Sequence, residues 1–157
     1  MNLGVILNYR TQIEEALRTE LAQMQGVLHE AEAIVRDMER AAERETTRYL
    51  SDTEQGLSAE EIAGRQGELE ALADRIRRAQ ELVEQHRRRC GDKLAEVLAA
   101  AQERRKLELV EERQDRRELA EANRLEQKDL DEMAGRRYLA ERRSRSIEEE
   151  TQTDHGE

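Results

Sequence analysis

Along residues 3–49 apolar side chains recur at alternating steps of four and three: Leu3, Leu7, Leu17, Leu21, Met24, Leu28, Ala31, Val35, Met38, Ala42 and Tyr49, with Arg10, Glu14 and Glu45 on the same steps. This spacing is a heptad seam, which commits a chain to a helix packed lengthwise against another helix. With 41% of residues charged and 2% aromatic, the composition alone would also suit disorder, since a chain that buries little apolar surface cannot offset its ordering entropy. A sustained period decides for the helix. The apolar share of 36%, with no Phe, Trp or Pro, supplies helix formers for a narrow seam rather than a wide core.

Beside the seam runs a second column at strict sevens, Ile6, Ile13, Val27, Ile34 and Ala41, broken by Glu20. The apolar stripe is therefore wider than a two-stranded coil requires. It either covers the edge of the partner helix or docks another protein, and periodicity does not separate the two.

From Ser51 to Ser58 the pattern gives way to small polar residues and Gly56, and Ser58 with Glu61 reads as a capping box opening a new helix. Ile62, Leu69, Ile76, Val83, Cys90 and Val97 then follow seven apart, with Leu72 and Ala79 between them. A link this short joins antiparallel neighbours. The expected fold is all-α: an antiparallel two-helix coiled coil, or helical hairpin, with a longer, overhanging second helix. Its expected parts are a first helix over 1–50, a turn at 51–58, a second helix over 59–145 that overhangs from about 107, and an acidic, disordered tail over 146–157.

A turn centred near residue 54 sets Leu28 beside about Gln80 and Leu7 beside about Ala101. It also brings Gly26 and Gly91 to one level, where the backbones could approach closely, and leaves Gly64 and Gly67 to loosen the hairpin tip. Opposite charges four residues apart, acid first, occur at Glu14/Arg18, Asp74/Arg78 and Glu84/Arg88 among others. Arg36, Arg40, Arg44 and Arg48 form a drifting basic line, expected to be answered by Glu68, Glu70 and Asp74 of the second helix.

A two-helix rod offers no water-excluding pocket, so no enzyme activity and no cofactor are expected. His29, His86 and His155 lack metal-ligand spacing with one another or with Cys90, which packs as a small seam residue, and no phosphate-binding glycine loop is present. A net charge of −10 opposes wholesale binding to nucleic acid or anionic lipid. The opening residues suit neither a signal peptide nor a membrane span, so no direct membrane insertion is expected and the cytoplasm is the default compartment.

Three stretches carry a family resemblance: Leu3 to Arg10 leading into Glu14-Glu15, the short turn, and above all Ala122 to Ala134, a polar block lying off the seam. In that block Asn123, Arg124, Gln127, Lys128, Asp131, Glu132 and Ala134 match the C-terminal pattern of the flagellar export protein FliJ family, which the chain resembles over residues 1 to 143. The resemblance implies a soluble coiled-coil component of the flagellar type III export apparatus, similar to the central stalk of rotary ATPases. Its implied partners are the hexameric flagellar export ATPase, the cytoplasmic domain of the export gate and export chaperones.

On the same resemblance, Arg117, Asn123, Arg124, Gln127, Lys128, Asp131, Glu132 and Arg136 would meet the ATPase ring. Met38, Ala42, Tyr49, Leu69, Leu72 and Ile76 would meet the gate or chaperones. The protein would be monomeric alone and held peripherally at the cytoplasmic face of the inner membrane, at the flagellar base. Competing readings are a generic scaffold coiled coil that self-associates through its wide stripe, and the equivalent stalk of a virulence injectisome.

Overall fold

The computed structural model describes residues 2–154, and within them every element is helical. Helix α1 spans Leu3–Gln55 and helix α2 spans Ala59–Thr153. The chain divides into two units, Met1–Arg105 and Lys106–Glu157.

In the first unit α1 begins where Asn2 leaves the helical region and its side-chain oxygen accepts the Gly4 amide at 3.0 Å, which satisfies one of the free donors at a helix start. It ends at Gly56, whose φ of 99° lies where a Cβ is strained and glycine is not. The chain restarts after Leu57. Ser58 Oγ accepts the Glu61 amide at 3.1 Å while Glu61 Oε2 accepts the Ser58 amide at 3.3 Å, completing the expected capping box.

The turn is thus narrower than 51–58 and lies later. Residues 51–55 stay helical because nothing among them breaks a helix, and Thr53 returns its hydroxyl to the Tyr49 carbonyl at 2.7 Å. Moving the turn shifts the register. Gln80 donates to Glu39 at 3.1 Å and Arg87 to Glu32 at 3.4 Å, so Gln80 does not sit beside Leu28. Likewise Arg104 pairs with Glu14, which places Ala101 away from Leu7.

Every seam position of α1 from Leu3 to Tyr49 is at least half-buried, and Leu21 and Val35 are buried. On α2 the buried positions are Val83, Cys90 and Val97. A hydrophobic cluster joins Leu21, Cys90 and Val97, with Leu17, Met24 and Leu28 packed against it. Cys90 is a free thiol inside this cluster, filling the space of a small apolar side chain.

Gly26 and Gly91 do not act as expected. A Cβ on Gly26, Gly64, Gly67 or Gly91 would meet nothing within 4 Å, so no backbones converge at Gly26 and Gly91. All four lie in uninterrupted helix. Gly64→Ala and Gly67→Ala should therefore each stabilise the hairpin by roughly 0.5–1 kcal/mol, measured by urea unfolding, whereas Gly56→Ala should destabilise it because of its positive φ.

In the second unit the helix continues to Thr153, past residue 145 where the acidic tail was expected to begin. No Gly or Pro intervenes there, and the hydroxyls of Ser144, Ser146, Thr151 and Thr153 bond back to carbonyls one turn earlier. Residues from Glu112 to Asp154 are all exposed. His155 lies outside the described residues.

Candidate interaction surfaces

The α2 side of the seam is read correctly at Ile62 to Val97, but its alternate positions carry residues that an apolar search passes over. Arg65, His86, Lys93 and Arg104 occupy the steps between or beyond the apolar ones and are all half-buried. Three of them tie the helices together. Arg65 bonds Asp52 at 2.5 Å near the turn. Lys93 bonds Glu20 and Glu96, each at 2.8 Å. Arg104 pairs with Glu14, whose side chain is 5% exposed and also holds Arg18 at 2.6 Å.

Glu14 is the one charged residue among the buried positions described, and it is buried because its seam step is filled by a carboxylate that finds two guanidinium groups. An unpaired charge there would carry a large desolvation cost. The signal available in sequence was the seven-residue step itself: continuing Val83, Cys90 and Val97 by seven reaches Arg104, and stepping back by seven from Leu21 reaches Glu14.

The Lys93 ammonium is held well above the ordinary lysine range, chiefly by its hydrogen bonds to Glu20 and then Glu96. The folded state therefore keeps this proton more tightly than the unfolded chain. Its contribution is fully present below the ordinary lysine value of 10.5 and is lost as pH rises through the raised one. Between pH ~9 and pH ~11.5, near and above the free lysine pKa, wild-type stability should fall further than that of Lys93→Met, measured by urea unfolding at both values.

Local ion pairs also differ from the sequence expectation. Asp74 pairs with Arg77 rather than Arg78, and Glu84 with Arg87 at 2.6 Å rather than Arg88. Arg87 at this position also reaches Glu32 on the other helix. Of the basic line on α1, Arg48 pairs with Glu45 of its own helix at 3.5 Å, not with Glu68, Glu70 or Asp74. Among the described residues no cluster of His, Cys, Asp and Glu is placed to hold a metal ion, and no helix is long and apolar enough to cross a membrane.

The residues assigned by resemblance fall into two kinds. Met38, Ala42, Tyr49, Leu69, Leu72 and Ile76 are half-buried seam residues of the hairpin. Near the turn Tyr49, Leu69 and Leu72 line an open groove with Glu45, Arg65, Glu68, Ala71 and Arg75. The Tyr49 hydroxyl accepts from Gln66 at 3.4 Å.

Arg117, Asn123, Arg124, Gln127, Lys128, Asp131, Glu132 and Arg136 are all exposed on the second unit. At 3.6 residues per turn Arg117, Arg124, Gln127, Lys128 and Asp131 share one face, Asn123 and Glu132 flank it, and Arg136 turns away. Within the set Gln127 donates to Asp131 at 3.2 Å, and Arg124 pairs with Glu121 at 2.9 Å. On the opposite face Leu119, Leu130 and Met133 are more than half exposed. They lie on heptad steps of four and three, but Asn123 and Glu126 fill the steps between Leu119 and Leu130, so no regular apolar column forms.

A family model described as Flagellar FliJ protein matches residues 1–143. No curated protein and no solved structure matches the chain. The match spans both the paired seam and the exposed polar block, so the chain belongs to the FliJ family, and its role lies in flagellar protein export.

Proposed function

We propose that this protein is the stalk and adaptor of the flagellar type III export machinery. It binds the hexameric export ATPase ring through its C-terminal helix, promotes assembly and turnover of the ring, and couples it to the export gate and export chaperones. It is not itself an enzyme. It is held peripherally at the cytoplasmic face of the inner membrane through these partners.

The observation that carries this reading is the complete exposure of residues 112–154 in a continuous helix. A helix that buries none of its side chains forfeits the packing that normally stabilises helices in water. A partner that surrounds it restores that term, and a ring does so on all faces at once. The polar face from Arg117 to Asp131 suits charged loops, and Leu119, Leu130 and Met133 supply apolar contacts opposite. The groove beside Tyr49, Leu69 and Leu72 is the place on the hairpin where a gate segment or chaperone would lie.

The test uses the full-length chain with the purified export ATPase. Wild type should bind and raise ATP turnover, and Arg124→Glu with Lys128→Glu should lower the affinity by at least about tenfold, since each reversal replaces an attraction by a repulsion. Helix content should be unchanged, because neither side chain is buried. Absence of binding and of stimulation at low salt would contradict the proposal.

A further inference from the structure

The two edges of the hairpin seam are not alike. One is closed by polar links, Glu32 with Arg87 and Glu39 with Gln80. On the other edge Lys93 bonds both Glu20 and Glu96, so positions 20 and 96 face each other there. Stepping by one heptad in opposite directions brings Val27 level with Arg89. A second step brings Ile34 level with Leu82. Val27, Ile34 and Leu82 are 47%, 57% and 48% exposed, an apolar strip in the middle of a highly charged hairpin.

The strip has flanks of opposite sign. On the α1 side lie Glu30 and Asp37, and on the α2 side Arg78, while Arg89 sits on the edge itself, level with Val27. None of the four forms an ion pair among the described residues. Asp37 follows Ile34 by three residues and Arg78 precedes Leu82 by four. The helices being antiparallel, both steps run about one turn the same way along the hairpin. Glu30 and Gln85 match in the same manner one heptad back, between the levels of Val27 and Ile34.

We infer that this edge binds a second copy of the chain. A twofold axis running alongside the helices lays the acidic flank of one copy on the basic flank of the other. Asp37 then meets the partner's Arg78, and Glu30 meets the partner's Gln85, twice over by symmetry, with Ile34 and Leu82 enclosed between them. A twofold axis across the helices would instead set acid on acid and base on base, so the pairing is parallel. Three half-exposed apolar residues per copy fall well short of a standard stable interface. The dimer is accordingly weak, with a dissociation constant on the order of 0.1 mM, and the dilute protein is a monomer.

Sedimentation equilibrium of the full chain over a range up to about 0.5 mM, a few times that constant, reads this directly. The average mass should rise from 18.3 kDa toward twice that value. Ile34→Glu and Leu82→Glu should each weaken association at least about tenfold, with helix content intact because both side chains are half exposed. Asp37→Arg and Arg78→Asp should each lose association alone and regain it when mixed in equal amounts, since the mixture restores opposite charges at both contacts. A mass of one chain throughout, a dimer that survives both glutamate variants, or a mixture that fails to recover would each overturn the inference.

Discussion

Replacing Arg104 by alanine should lower the stability of the hairpin by about 2–3 kcal/mol, measured by urea unfolding followed by circular dichroism. Removing one partner of a buried ion pair costs about 3–5 kcal/mol, because the remaining charge keeps its desolvation penalty and loses its compensation. The figure is reduced here because Arg104 is 27% exposed and Glu14 retains Arg18 at 2.6 Å. The sign should reverse when both partners go. Glu14→Leu with Arg104→Leu extends the apolar seam and should match or exceed wild-type stability, as apolar replacement of buried pairs often does. A double variant as unstable as Arg104→Ala would mean that the pair itself, not the orphaned carboxylate, holds the helices together.

Leu21→Ala should cost a similar amount, about 2–3 kcal/mol, whereas Ile34→Ala on the same helix should cost less than about 0.5 kcal/mol in dilute solution. Leu21 packs with Cys90 and Val97 and is 9% exposed, so its truncation removes apolar burial and leaves a gap between two helices. The estimate stays at the low end of the range for such changes because a two-helix seam is open at its edges, where water and neighbouring side chains close part of the gap. Ile34 already faces solvent over more than half its surface. Equal effects at the two positions would contradict the assignment of seam and edge.

These contrasts mark what the sequence makes legible. Period alone identifies the seam of α1, since Arg10, Glu14 and Glu45 sit on the same steps as the leucines and are covered like them. It also marks the edge column, but not its fate. Ile6 and Ile13 are half-buried while Val27 and Ile34 remain exposed, a difference set by what the other helix places opposite. Register was the larger miss. The position of a turn depends on a single backbone conformation, here Gly56 at positive φ, and a few residues of error at the turn propagate along the whole hairpin. Polar seam residues on α2 were hidden for a similar reason: Lys93 and Arg104 look like surface residues until acids on the other helix are brought opposite them.

The polar block was legible as a family pattern, because Arg124, Gln127 and Lys128 are exposed and have no packing reason to follow a pattern. The apolar face behind it was not, since Asn123 and Glu126 interrupt its heptad steps. The pairing choice of Asp74 with Arg77 and Glu84 with Arg87 likewise required three-dimensional context, as spacings of three and four are nearly equivalent on a helix.

The account rests on one chain doubling back on itself in the register set by Gly56. Spin labels at positions 39 and 80, introduced with Cys90→Ala and diluted into unlabelled protein, measure that arrangement within single molecules. The account predicts strong dipolar broadening for this pair and much weaker coupling for labels at 28 and 80. Strong coupling at 28 and 80 with none at 39 and 80, or coupling that disappears on dilution with unlabelled chain, would contradict it.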